Sequence, residues 1–336
     1  DFAALTQDYY DRDDPLLIEH VLRTILPRRG IAAGEDEVLL TMGAQNGLWI
    51  TTQVLLGQGR RGVIENPGYS GLRGILAASG TEAISVDIDT DGLPPDAIPK
   101  GVDVVFTTAS HQCPTNATMP LDRRLALLEA AGREGFVIVE DDYEFEMSFL
   151  KPVSPALKSL DTEGRVVYVG SFSKSVFPGM RLGYLVGPPS FIKAARALRL
   201  MMLRHPPGHI QRTMAYFLSL GHYDSLINRM RNAYRRRRQV MEEAILAHGL
   251  TVAGQGGFGG FNCKIDFTLI CQRNRLRCCA ESWIEYRGGA TVTSDFSAVD
   301  KVTDNFHSCA SQLLYKDILA HGYSRPRTVV RLQNSS

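Results

Sequence analysis

Between Val38 and Val186 the chain repeats one pattern: a short β-branched apolar run, an amphipathic stretch, then another apolar run. The runs Val38–Thr41, Gly62–Glu65, Ala83–Val86, Val102–Thr107, Phe136–Glu140, Val166–Ser171 and Leu182–Val186 are expected to be strands. Several are apolar throughout, which suits parallel strands covered on both faces. The stretches between predict helices over Gln45–Leu56, Gly71–Ala78 and Leu121–Gly132, the last with Leu121, Leu125, Leu128 and Ala131 on one face. Parallel neighbours need crossovers of this kind, so the expected fold is α/β, with a mainly parallel, doubly wound sheet.

Longer helical patterns follow at Phe191–Leu203 and Tyr223–His248, joined by the link His205-Pro206-Pro207-Gly208. Arg235-Arg236-Arg237-Arg238 on the second is read as a solvated face rather than a DNA contact. The chain's 336 residues suit a large domain with a smaller α+β one. We expect the large domain over 40–222, with 1–39 and 223–336 contributing to the smaller one. Lys and Arg number 37 against 36 Asp and Glu, so bulk charge draws the chain to neither nucleic acid nor an anionic membrane. No apolar run reaches the roughly 18 residues of a membrane span, and the first residues do not resemble a secretory leader. A cytoplasmic location without a membrane partner is expected. Of the six cysteines, five crowd the last quarter without paired C-x-x-C units, so no metal is expected.

Open α/β sheets bind ligands beyond the carboxyl ends of their strands, and the chemistry-bearing residues fall there. An apolar run ends in Gly170-Ser171-Phe172-Ser173-Lys174, and Arg181 follows seven positions on, just before the next strand. Another ends in Glu140-Asp141-Asp142-Tyr143, although acids at a strand end are, taken alone, ordinary solvated termini. Thr41-Met42-Gly43-Ala44-Gln45 is a strand-to-helix turn whose free N–H groups could hold a phosphate. Glu65-Asn66-Pro67-Gly68-Tyr69 sets an aromatic at a further strand end.

Together with Ser110-His111-Gln112-Cys113-Pro114-Thr115, these segments resemble the fold-type-I aminotransferases of class I/II. They are most similar to the aminotransferase-like domain of MocR/GntR-type transcriptional regulators, over about 36–260. The resemblance implies pyridoxal 5'-phosphate as cofactor and Lys174 as the lysine that forms a Schiff base with it. It implies Asp141 as partner of the ring nitrogen, Tyr143 as donor to the ring oxygen, and Tyr69 as the stacking aromatic. Gly43, Ala44, Gln45, Ser171 and Arg181 would hold the phosphate. It further implies a homodimer that takes a small amine or amino-acid ligand, with DNA contacted only through a separate N-terminal domain not in this sequence. Two functions fit: the effector-sensing part of a regulator, or a true aminotransferase moving an amino group between an amino acid and a 2-oxo acid.

Three places depart from the family. Cys113 stands where many members have an Asn on the ring oxygen, so that contact is missing or comes from Gln112. Asp14-Pro15-Leu16-Leu17-Ile18 lacks the Arg that often follows Pro-Leu. Beyond about Asn262 the family's small-domain motifs do not align. That stretch is open to reading as a divergent small domain, a metal site or the product of a shifted reading frame. Arg331 is the candidate there for a carboxylate clamp.

Overall fold

The computed structural model describes residues 12–150 and 154–247, and four strands at 251–253, 262–266, 283–287 and 290–293. The expected alternation folds into seven strands: β1 (Val38–Thr41), β2 (Arg61–Asn66), β3 (Glu82–Asp87), β4 (Val104–Thr107), β5 (Val137–Asp142), β6 (Val166–Ser171) and β7 (Gly183–Val186). They form one sheet in the order β1-β7-β6-β5-β4-β2-β3. From β6 to β3 every pair is parallel, and β7 alone runs against both its neighbours. The carboxyl ends of six strands and the start of β7 therefore share one edge.

Helices cover both faces. They are α1 (Pro15–His20), α2 (Ala44–Leu55), α3 (Ser70–Ala78), α4 (Leu121–Glu134), α5 (Leu157–Leu160), α6 (Pro189–Leu203), α7 (Gly208–Ser219) and α8 (His222–Ala247). α1 continues through a wider π turn, Val21–Ile25, into a tight turn, Leu26–Arg29. Side chains alternate along each strand, so β6 sends Val167 and Val169 into the core with Leu48 and Ile192, and Val166 into the core with Leu127. A second sheet, β8 (Thr251–Ala253), β9 (Asn262–Asp266), β10 (Trp283–Arg287) and β11 (Ala290–Thr293), is antiparallel throughout. Arg331 and the cysteines at 271, 278, 279 and 309 lie outside the described residues.

Two features differ from expectation. The residues around Pro207 do not merely link helices: Pro207 is the N-cap of α7. Proline cannot extend the preceding helix, yet its fixed φ suits the entry to the next. The buried face of α4 is also not the expected one. Leu121 and Leu125 are half-exposed, while Arg124, Leu127, Ala130 and Ala131 are buried. Arg124 is tolerated inside because its guanidinium donates to the carbonyls of Met119 (2.9 Å), Pro155 (2.7 Å) and Ala109 (2.8 Å) and lies 3.8 Å from Glu140.

The end of β5 is held from behind. Glu140, Asp142, Glu144 and Glu146 are each no more than 2% exposed, so these acids are not solvated termini. Each buried carboxylate costs several kcal/mol unless compensated, and groups from other elements pack against all four. Glu140 accepts the amides of Leu157 and Lys158. Asp142 pairs with Arg29 and accepts the Tyr168 hydroxyl. Glu144 lies 3.8 Å from His111, and Glu146 accepts the hydroxyl of Tyr223 on α8.

Two tests follow from this packing. A Cβ on Gly183 would lie 2.7 Å from the Gly170 carbonyl oxygen and 2.9 Å from the Gly43 carbonyl carbon, both backbone atoms. Gly183→Ala is therefore expected to cost about 1–3 kcal/mol in urea unfolding; an unchanged midpoint would mean that β7 shifts freely. Burial, then the nearby Arg29 and Arg124, lower the His111 imidazole from its ordinary 6.5 to about 4, against the pull of Asp142 and Glu144. Folded His111 stays neutral while the unfolded chain takes up a proton, so its contribution is complete above pH 6.5 and lost as pH falls toward 4. Glu146, raised to about 7 by burial, acts in the opposite sense, and comparison with His111→Asn removes it. Between pH 6.5 and 4 the stability difference between wild type and His111→Asn should fall by about 3 kcal/mol. Parallel pH profiles would contradict this.

Candidate functional site

The ligand edge is built around a turn, a lysine loop and the end of β5. Gly43 follows β1 with φ at +79°, a conformation open to glycine, and caps α2 without a side-chain hydrogen bond. The amides of Ala44 and Gln45 lie in the first helical turn and have no carbonyl partner within the helix, which favours an anion. Arg181, before β7, takes a left-handed conformation with φ at 49°, and its Nη2 donates to the Met42 carbonyl at 3.3 Å. A Cβ on Gly43 would lie 3.1 Å from that nitrogen. Gln45 and Arg181 line one open cleft with Met42, Asn46, Trp49 and Ile75.

Ser171 ends β6, and its hydroxyl accepts the Ser173 amide at 3.1 Å. The Ser173 hydroxyl is buried without a hydrogen-bond partner among the described residues. Lys174 follows, its Nζ 5.8 Å from the centre of the Tyr143 ring. Burial, reinforced by Glu144, Cys113 and Asp141, pushes the Tyr143 phenol well above its ordinary value, so it remains an O–H donor at neutral pH.

Asp141 faces a second cleft, which it lines with Glu65, Tyr69, Leu48, Phe106 and Thr108. Its Oδ1 is buried with no hydrogen-bond partner among the described residues. Burial first, then Asp142 and Glu65, raise its carboxyl to about 7, with Lys174 pulling the other way. Glu65 is saturated by contrast. It accepts from Thr107 Oγ1 (2.7 Å), the Thr108 amide (3.0 Å), Thr108 Oγ1 (2.6 Å) and Gln112 Nε2 (3.1 Å). Gln112 also donates to the carbonyls of Pro67 and Cys113 and accepts from Thr115, so its amide is spent on holding the loop.

The structure thus places Gly43, Ala44, Gln45, Tyr69, Asp141, Tyr143, Ser171, Lys174 and Arg181 along one sheet edge. Arg331 lies outside the described residues. Sequence reasoning passed over Glu65 as a buried anchor, Ser173 as an open hydroxyl, and Arg29 and His111 behind β5. Glu65 and His111 did stand inside the quoted motifs; Arg29 carried no local signal. Among the described residues there is no cluster of ligating side chains suited to a metal. None of the helices described is long and apolar enough to cross a membrane.

Known proteins resemble the chain in sequence and in fold. The chain is 64% identical over 260 residues to the HTH-type transcriptional regulator TauR of Rhodobacter capsulatus, covering 77% of this chain and 54% of that one. It is 31% identical over 227 residues to the probable rhizopine catabolism regulatory protein MocR of Rhizobium meliloti, covering 67% and 46%. The chain spans about half the length of the curated relatives it matches. Its fold superposes on the kynurenine aminotransferase of Pyrococcus horikoshii with a TM-score of 0.75 at 23% identity, covering 96% of this chain and 85% of that one. The model of aminotransferase class I and II matches residues 7–261, and with the edge described above this places the chain in that family.

Proposed function

We propose that this chain is a pyridoxal-phosphate-binding domain and serves as the ligand-sensing part of a MocR-type transcriptional regulator. The observation that carries the cofactor reading is Asp141 Oδ1, a buried carboxylate oxygen without a hydrogen-bond partner among the described residues, facing a cleft beside Tyr69. An uncompensated acid there is costly, and a protonated ring nitrogen is the kind of group that would satisfy it. The regulator reading rests on the 64% identity to TauR.

Pyridoxal 5'-phosphate supplies an aldehyde that condenses with a primary amine and a ring that withdraws electrons from bonds next to that amine. Lys174 would offer the amine. The amides of Ala44 and Gln45, the hydroxyls of Ser171 and Ser173 and the Arg181 guanidinium would hold the phosphate. Gly43 leaves room for Arg181 beside the turn. Asp141 would keep a proton on the ring nitrogen, Tyr143 would donate to the ring oxygen, and Tyr69 would cover the ring face. Cys113 and the committed Gln112 leave Tyr143 to hold the ring oxygen by itself. The ligand would be a small amine or amino acid, read by a homodimer whose DNA contacts belong to a separate domain.

A true aminotransferase would need the same residues, so turnover separates the readings. A sensor takes up an amine once, while an enzyme cycles amino donor and 2-oxo acid.

Two outcomes check the site. With cofactor bound, borohydride reduction and peptide mapping should place the label on Lys174; label on any other lysine would refute the assignment. Asp141→Ala should still load cofactor but slow any amino-transfer half-reaction about 10²–10⁴-fold, or about 3–5 kcal/mol. If Asp142→Ala gave that loss and Asp141→Ala did not, the facing of β5 would be wrong by one residue.

A further inference from the structure

We propose that Arg29 is a positioning residue of the cofactor site, stapling the end of β5 to the loop after β4 and so setting where Asp141 and Tyr143 stand. The inference rests on the reading of Asp141 as partner of the ring nitrogen. Arg29 closes the tight turn after α1 and is 1% exposed. Each of its donors goes to a different segment. Nε donates to Asp142 Oδ2 at 2.6 Å, Nη2 to Ser110 Oγ at 2.7 Å and Nη1 to the Ser154 carbonyl at 2.5 Å. Its guanidinium also lies 5.2 Å from the centre of the Phe145 ring.

Asp142 and Asp141 are consecutive and face opposite ways, so the backbone cannot turn one without turning the other. Fixing Asp142 from behind therefore fixes Asp141 in front. Ser110 opens the loop that carries Gln112, the residue that bonds Glu65 on the floor of the cleft. One planar fork thus sets the two segments that meet at the ring position.

Stability alone is a weak reason for such a group. A buried ion pair is often matched or bettered by apolar side chains of the same volume, because desolvation offsets its attraction. What an apolar replacement lacks is direction: three bonds from one rigid plane define the relative placement of three segments. A lysine could satisfy only part of that set.

The test compares wild type with Arg29→Met, Arg29→Lys, Arg29→Met/Asp142→Asn, and Arg28→Met as control, since Arg28 pairs with the exposed Asp224. Pyridoxal 5'-phosphate is titrated in, and the pH midpoint of the bound cofactor's near-visible absorbance is measured. Hydrogen exchange at residues 110–115 and 141–145 is followed in cofactor-free protein. Arg29→Met should bind cofactor at least about tenfold more weakly. Its absorbance midpoint should move by about half a pH unit or more. Both segments should exchange faster, Arg29→Lys should recover part of each effect, and Arg28→Met should match wild type. If Arg29→Met does not fold, the double variant, which buries no unpaired charge, is read in its place. Wild-type affinity, midpoint and exchange in the folded variant would overturn the proposal. Failure of wild type to take up cofactor would instead count against the cofactor reading. The exchange data then decide the staple by themselves, and unchanged exchange at both segments rejects it.

Discussion

The Arg29–Asp142 ion pair joins the beginning of the described chain to the central strands of the sheet, away from water on both sides. The two residues are 113 positions apart, so the contact exists only when α1 and its following turns have docked under β5. Around it Tyr168, Ser110 and the 154 carbonyl complete a polar layer inside an otherwise apolar core. Such a layer is stable only when its members are satisfied together, which makes the end of β5 one cooperative unit with the loop after β4.

Buried polar atoms without a hydrogen-bond partner among the described residues lie on both sides of β5, Asp142 Oδ1, Glu146 Oε2 and His111 Nδ1 behind it and Asp141 Oδ1 in front. Behind the strand, Glu140 and Arg124 bond several backbone groups on neighbouring loops. In front, Asp141 Oδ1 and the Ser173 hydroxyl are buried with no hydrogen-bond partner among the described residues. What sets the front pair apart is place: they lie at the ligand edge, where Asp141 lines a cleft and a ligand can complete the bonding. The carboxyl of Asp141, held near 7 by burial and by its acidic neighbours, belongs to the same picture.

Much of this could be read from the sequence because local signals coincide with the sheet. β1 and β6 lie where the apolar runs place them, and the other strand boundaries shift by one or two residues. The candidate site was legible because strand-end residues and the glycine turn are contiguous in sequence. What was not legible depends on distant partners. The face of α4 was misjudged because apolar spacing cannot register the Ala109 and Pro155 carbonyls that let Arg124 lie inside. α7 was missed because a double proline reads as a break in either direction. The acids at and just beyond the end of β5 looked like solvent-facing termini because the groups that enclose them arrive from α1, the loop after β4 and α8.

The place of β7 in the sheet bears on the order of assembly during synthesis. Among the described residues β1 pairs with β7 alone, with Val38 opposite Val186 and Thr41 opposite Gly183. The Gly43 turn gains Arg181 only when the same segment arrives. Contacts this distant in sequence form late, since a long loop must close before they return any stabilisation. A growing chain would thus carry β1 and its turn without β7 until the residues up to Val186 have left the ribosome. The anion cradle would be among the last parts of the large sheet to mature, so that cofactor capture reports a finished sheet rather than helping to nucleate one.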